Sequence, residues 1–346
     1  MPLKKTKVGV LYHRYLPGYS AERFAIDAEE LGFDSLWVSE NTFSHVPKAD
    51  PFVVLGIFAA VTNRPLIGTA VVRLPLRSPA AMAKACAYVD QLSNGRLIFG
   101  IGVGGDFPEE FTAAGIPFVE RGARTDECMD ILKALWKNEE TTFHGRFYQF
   151  DKAIQYPKPI QAGGPPLWVG GRGDPALRRT IRYGHGIFPL FFTPQHYREA
   201  CSRLEELATE TKRDPTEITR ALTVFLSIGK TRQAALRMMG ESIGVDYNLR
   251  EDQVERLNVT GTSSEVTEQL EAYIEAGVEH FAIAFGCPYD AVATQLETLG
   301  SEVLPNLSSK RVEKVPGQCV RGKLRQRQHR VGYTGKSLLF ANKGKL

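Results

Sequence analysis

The chain has 346 residues, 43% of them hydrophobic, and a formal net charge of +4. That allows one large domain or two of ordinary size, and it excludes a helical membrane span, because no apolar run reaches the ~20 residues required. Eleven of the 43 Lys and Arg but one of the 39 acids, Glu313, fall in 308–346, so the tail carries +10 and residues 1–307 carry −6. Any electrostatic contact with nucleic acid is therefore confined to the tail.

The N-terminus, MPLKKTKVGVLY, passes from a short basic stretch straight into a strand-like run, without the apolar core or cleavage site of a signal peptide. Residues 6–12 are expected as a first strand. A helix follows over 20–32, with Ser20 as N-cap and Gly32 as stop. The next strand is DSLWVSE (34–40), then a helix from Asp50-Pro51 to about Asn63, then PLIGTAVV (65–72). Ser78-Pro79 opens a helix that closes at Asn94-Gly95. RLIFGIGVG (96–104) is a fourth strand and 119–137 a fourth helix. PPLWVGG (165–171), HGIFPLF (185–191), ITRALTVFLSIG (218–229) and VEHFAIAF (278–285) complete eight strands, with helices to about Tyr183, over 194–211 and over 288–303.

Near-continuous apolar strands alternating with amphipathic helices predict a parallel sheet covered on both faces. Eight such units close a barrel, whereas open doubly wound sheets usually hold about five to seven strands. The predicted fold is a single-domain (β/α)8 TIM barrel over 1–307. Two insertions break its rhythm: a hairpin and extended arm at about 138–164, and a lid with a short helix at about 240–261. The tail, 308–346, has no usable apolar period and is expected to be a disordered, non-functional extension. Cys86, Cys128, Cys201, Cys287 and Cys319 are widely separated, with no metal-ligand spacing. They predict a reducing, cytoplasmic setting and no metal site.

In a barrel, sites gather where strands run into the following loops. After the fifth strand, Gly170-Gly171-Arg172-Gly173 leads to Asp174, read as N-cap, and Pro175 as first helical residue. Bare glycine amides, a helix N-terminus and a guanidinium suit a phosphate. The alternative is a tight turn capped by Asp174 with Arg172 solvated. Gly100, Gly102, Gly104 and Gly105 close the fourth strand. They make a poor dinucleotide fingerprint, but small residues there leave space for a flat ligand. The alternative is glycines packed in a crowded barrel. Glu40, Asn41 and His45 follow the second strand and His13 the first, where they suit hydrogen bonding or proton transfer. A lone loop histidine is as readily a surface residue. Tyr12, Tyr15, Phe43, Phe107, Phe188, Phe191 and Phe285 stand near strand ends, as pocket lining or as plain core.

LGFDSLWVSE (31–40), IGTAV (67–71), SNGRLIFGIGVG (93–104), RGAR (121–124), FHGRFY (143–148), PLWVGG (166–171), GTSSEV (261–266) and AGVEHF (276–281) stand in order over about 5–307. In these segments the chain resembles the bacterial-luciferase-like monooxygenase family. The resemblance implies a (β/α)8 barrel that binds FMN or a deazaflavin coenzyme, a non-prolyl cis peptide at Ala70-Val71 behind the flavin ring, a flavin phosphate at Gly171, Arg172 and Gly173, and a homodimer. Two departures stand out. Asn41 occupies a position where many members carry histidine, and Asn does not exchange protons near neutral pH. Gly105, with Asp106 beside it, occupies the position of a catalytic glutamate in the sugar-phosphate dehydrogenases of the deazaflavin branch. The first expectation is a monooxygenase that uses reduced FMN and oxygen on a small organic substrate, with a separate flavin reductase as partner. The alternative is deazaflavin-dependent hydride transfer. A non-catalytic flavin-binding barrel is the third.

Overall fold

A computed structural model of the protein describes residues 5–44, 46–105, 107–247 and 249–307. His45, Asp106 and the basic tail from 308 onward lie outside them.

Eight strands form a closed parallel ring: β1 Lys7–Tyr12, β2 Ser35–Val38, β3 Leu66–Thr69, β4 Leu97–Gly102, β5 Leu167–Val169, β6 Gly186–Ile187, β7 Thr219–Ile228 and β8 His280–Phe285. Neighbours pair in chain order, as in Val10↔Leu36, Leu36↔Ile67, Ile67↔Leu97, Phe99↔Leu167 and Trp168↔Gly186. Arg220↔Ile187 and Val224↔Ile283 carry the ladder through β7, and Val10↔Ile283 closes it. Outer helices include α1 Ala21–Glu30, α2 Pro51–Val61, α3 Pro79–Leu92, α4 Arg121–Lys137, α5 Asp174–Tyr183 and α6 Pro194–Glu210. Local chemistry starts several of them. Asp50 and Ser78 accept from the amides of the first turns of α2 and α3, each with Pro at the first helical position.

The barrel interior is filled, not hollow. Trp37 and Trp168 lie with ring centroids 5.1 Å apart, and Phe188 packs 4.8 Å from Trp37. Gly68 and Gly186 make room for them. A Cβ at Gly68 would fall 2.5 Å from Trp37, and one at Gly186 2.7 Å from Trp168. The Trp37 indole N–H donates to Ser35 Oγ at 2.7 Å, which also bonds His280 at 2.7 Å, so the buried polar atoms are satisfied. This plug closes the barrel below and leaves the mouth at the strands' C-terminal ends for chemistry.

The structure amends the reading of two strands and of the expected lid. The sixth strand shrinks from 185–191 to Gly186–Ile187 plus a single bridge at Leu190↔Thr223, because Pro189 has no N–H for the ladder and Phe191 turns to a φ of 60°. The third strand is broken at Ala70-Val71 and resumes at Val72–Arg73 along β4. The segment 240–261 is only partly a lid. It runs as a wide helical turn at Gly240–Gly244 and a helix at Glu251–Leu257, but Val259–Gly261 is a strand paired with β7. The expected hairpin is present as Glu140–His144 with Gln149–Ile154. Among the described residues no helix is long and apolar enough to cross a membrane. None of their His, Cys, Asp and Glu form a group able to hold a metal ion.

Candidate functional site

Ala70-Val71 is a cis peptide, as the resemblance implies. The Ala70 amide, in the peptide just before it, donates to the Val38 carbonyl at 2.8 Å and holds Ala70 against the end of β2. Val71 spreads its methyls over two glycines. A Cβ at Gly102 would meet Val71 Cγ2 at 2.7 Å, and one at Gly170 would meet Cγ1 at 3.1 Å. The small residues at the ends of β4 and β5 are thus the space that Val71 occupies. The result is a wall of low relief across three strand ends. Gly104, at a φ of 71°, closes against the Arg73 side chain and Phe111.

The charged residues after β2 are locked together. Glu40 is buried and accepts from the Arg73 amide at 2.7 Å and from Arg77 Nε. Burial pushes its carboxyl above the usual range, with Arg77 and Arg73 opposing. Arg73 donates to the Glu40 carbonyl and pairs with Glu110 at 3.2 Å. Glu110 in turn accepts from the amides of Thr42 and Phe43 at 2.6 and 3.0 Å. This network shapes the loop that carries Asn41, which is half-buried.

His13 lies buried at the end of β1. Its ring is edge-on to Phe225 at 5.1 Å and parallel to Tyr247 at 6.3 Å. Desolvation, then Lys48 and Arg14, hold it well below the usual imidazole range, so it is neutral. Lys48 Nζ stands 3.1 Å from Ser39 Oγ and 3.4 Å from His13 Nδ1. Burial, followed by the charges of Arg73 and Arg14, lowers the amine to about 7. Arg14 reaches over the mouth to Ser242 Oγ at 2.6 Å and Asp246 at 3.4 Å, tying the segment after β7 to the end of β1.

Sequence reasoning missed Lys48, Arg14, Arg73, Glu110 and Tyr247. A lysine in HVPKADP carries no local sign of burial. The aromatic set divides. Phe191 packs on Phe225 and Tyr247 at the mouth, and Phe107 lies 5.7 Å from the Arg73 guanidinium. Tyr12 packs between α1 and α2, while Phe188 and Phe285 are core. Tyr15 and Phe43 are exposed.

The turn after β5 is built from backbone. Gly170 N–H donates to Ile101 O at 2.7 Å, and Gly171, Arg172 and Gly173 are exposed. The helix cap differs from expectation. Gly173 is the N-cap and Asp174 the first helical residue. The Asp174 carboxylate is drawn instead to Arg203 at 2.8 Å and Arg178 at 2.9 Å, which hold it below the usual range. Those cations compensate the charge that would otherwise repel a phosphate. Gly171 adopts a φ of 137°, and a Cβ there would meet that of Ala176 at 2.7 Å. The turn therefore needs glycine, and it lines a cleft with Val169, Arg172, Ala176 and Phe192. These residues fit the phosphate end of a flavin or deazaflavin.

A family model for luciferase-like monooxygenases matches residues 7–280. The chain is 30% identical over 327 residues to the F420-dependent glucose-6-phosphate dehydrogenase of Kineococcus radiotolerans, covering 85% of this chain and 94% of that one. It is 24% identical to the oxygenase component of the flavin-dependent trigonelline monooxygenase of Acinetobacter baylyi, over 83% of this chain and 89% of the other. Among solved structures, an F420-dependent secondary alcohol dehydrogenase bound to an F420-acetone adduct superposes with a TM-score of 0.80. Its identity is 24%, and the match covers 88% of this chain and 99% of that one.

Proposed function

This chain belongs to the luciferase-like monooxygenase family and is an oxidoreductase, and from that premise we propose that it performs hydride transfer between a deazaflavin coenzyme and a small organic alcohol or carbonyl. The observation that carries this reading is the 30% identity, over 85% of the chain, to a dehydrogenase named for that coenzyme. It displaces reduced FMN with oxygen, the first expectation from sequence, to second place.

When bound, the coenzyme supplies a ring that takes up or gives back a hydride. The protein's part is to hold, orient and exclude. Gly171, Arg172, Gly173 and the start of α5 hold the phosphate. Ala70, Val71, Gly102, Gly104 and Gly170 form the wall behind the ring. Phe191, Phe225 and Tyr247, with the segment tied down by Arg14, keep water out. Glu40 positions the loop through Arg73 and Arg77, and Asn41 offers an amide to the substrate. Of the two histidines expected to transfer protons, His13 is buried and held neutral, and His45 lies outside the described residues. A sugar phosphate is not the proposed substrate, since Gly105, at a φ of 152°, stands where the sugar-phosphate branch carries its glutamate.

The monooxygenase reading is supported by similarity to an oxygenase component, and it alone calls for a reductase partner. A homodimer is supported by α2, apolar on every face, with Val53 66% exposed. Fluorescence titration of the purified protein with the deazaflavin coenzyme and with FMN is the test, followed by anaerobic turnover on an alcohol panel. Tight deazaflavin binding and bleaching of its absorbance by an alcohol without oxygen is the expected result. FMN binding with substrate-dependent oxygen uptake would overturn it.

A further inference from the structure

We propose that Lys48 is the proton acceptor of this oxidoreductase, its amine poised by Ser39 and His13 to take the hydroxyl proton of an uncharged alcohol. The inference rests on the hydride-transfer reading above and adds the residue and the substrate class.

Oxidation of an alcohol requires two departures from the substrate. The C–H bond breaks, its electron pair leaving as hydride to the oxidised deazaflavin. The O–H bond breaks, its proton passing to Lys48 Nζ, and the carbon–oxygen double bond forms. In the reverse direction the ammonium returns the proton. Asn41 cannot accept it. Of the carboxylates at the mouth among the described residues, Glu40 is held by Arg73 and Arg77, Glu110 by Arg73 and two amides, and Asp246 by Arg14. The arginines do not deprotonate in proteins.

Lys48 differs from all of these. Its amine has a hydroxyl and an imidazole nitrogen as neighbours, 3.1 and 3.4 Å away, and none of the ion pairs among the described residues includes it. The groups that face it are Arg14 and His13 after β1, Ser39 after β2, Arg73 after β3, Glu110 of the helix Pro108–Ala113, and Asp246 after β7. Burial and the two arginines outweigh the two carboxylates and bring the amine to about 7. It is therefore part neutral at physiological pH, the state that accepts a proton. His13 stays neutral, so its Nδ1 can accept from the ammonium once that forms. Ser39, which the amine touches, directly follows Val38, whose carbonyl accepts from the Ala70 amide beside the cis peptide.

The same surroundings set the substrate class. Arg73 and Arg14, the cations nearest the amine, already carry Glu110 and Asp246. The other walls are His13, Phe225, Tyr247 and Phe191. An uncharged alcohol fits this lining better than a phosphate or carboxylate ester.

Two measurements on the full chain test the assignment. With lysine labelled at Cε by carbon-13, the Lys48 signal is identified by its loss in Lys48→Arg and followed against pH without coenzyme. A midpoint near 7 is expected, and a midpoint near that of ordinary lysines, about 10.4, overturns the proposal. With deazaflavin and uncharged alcohols, Lys48→Met and Lys48→Arg are both expected to lose about 100-fold or more in kcat, with coenzyme Kd unchanged. Full activity in Lys48→Arg would assign the residue a charge role only and overturn proton acceptance. A wild-type protein that binds no deazaflavin overturns the functional reading, and the substrate with it, whereas the carbon-13 midpoint reports on the amine alone.

Discussion

On the β1 to β3 side of the mouth, Arg14, Glu40, Arg73 and Glu110 are buried and hydrogen-bonded or ion-paired, and Lys48 is half-buried among them. On the β5 side, Gly171, Arg172 and Gly173 stand exposed, and the Asp174 carboxylate is paired with Arg203 and Arg178. The first side is made of buried and half-buried side chains, where charges interact strongly and proton affinities move. The second is made of backbone and an exposed guanidinium, where little moves. Proton chemistry needs the former; holding an anion of fixed charge needs the latter. The two sides should therefore respond to mutation in different currencies, folding and pH dependence on one, ligand affinity on the other.

The largest expected effect tests the interlocked side. Arg73→Met leaves Glu110, whose side chain is fully buried, without its cation. Breaking such a pair typically costs about 3–5 kcal/mol. The urea midpoint should fall accordingly, and adding Glu110→Gln should recover much of the loss, because the uncompensated charge is then gone. A single variant as stable as wild type would show that water reaches the pair and that the side is not dry.

Next in size is the exposed side. Arg172→Ala should weaken coenzyme binding by about 1.5–3 kcal/mol, the range of a charge-assisted hydrogen bond. The unfolding midpoint should hardly change, since exposed substitutions stay within about ±0.5 kcal/mol. An unchanged coenzyme Kd by fluorescence removes Arg172 from the site. A large loss of stability would instead erase the contrast between the two sides.

The same contrast explains what could be read from sequence. The turn at 170–175 is legible because its determinants are adjacent: glycines, then Asp-Pro at a helix start. Even there the cap was misplaced by one residue, because Arg203, from α6, draws the Asp174 carboxylate out of the cap. The barrel is legible because strand and helix periods repeat eight times, and it is over-read most at β6, where Pro189 cuts the ladder short, and at the break at Ala70-Val71. Lys48 is illegible because its burial is assembled from β1, β2 and the segment after β7. The bond that holds that segment down joins Arg14 to Ser242, 228 positions apart. Nothing within the neighbourhood of Lys48 in the chain carries that information.

The smallest expected effect is the most specific to the dry side, and it runs against intuition. An amine lowered to about 7 in the folded protein but ordinary in the unfolded chain binds fewer protons when folded. Between about pH 7 and 10.4 the unfolded state therefore holds the extra proton, and stability rises with pH. Below pH 7 the full penalty of the buried charge is present; above about 10.4 it is gone. Lys48→Met removes the penalty, so the variant should be more stable than wild type near pH 7, by about 1–2 kcal/mol after allowance for partial solvent access. The margin should shrink steadily as pH rises toward 10. His13 works in the acid range instead, because a histidine kept neutral in the fold lowers stability as pH falls below 6.5. The Lys48 comparison, made at pH 7 and above by urea unfolding, is therefore free of it. A lysine that lowers stability where it sits while its removal abolishes turnover is retained for chemistry rather than for the fold, and a pH-independent difference between the two proteins would remove that argument.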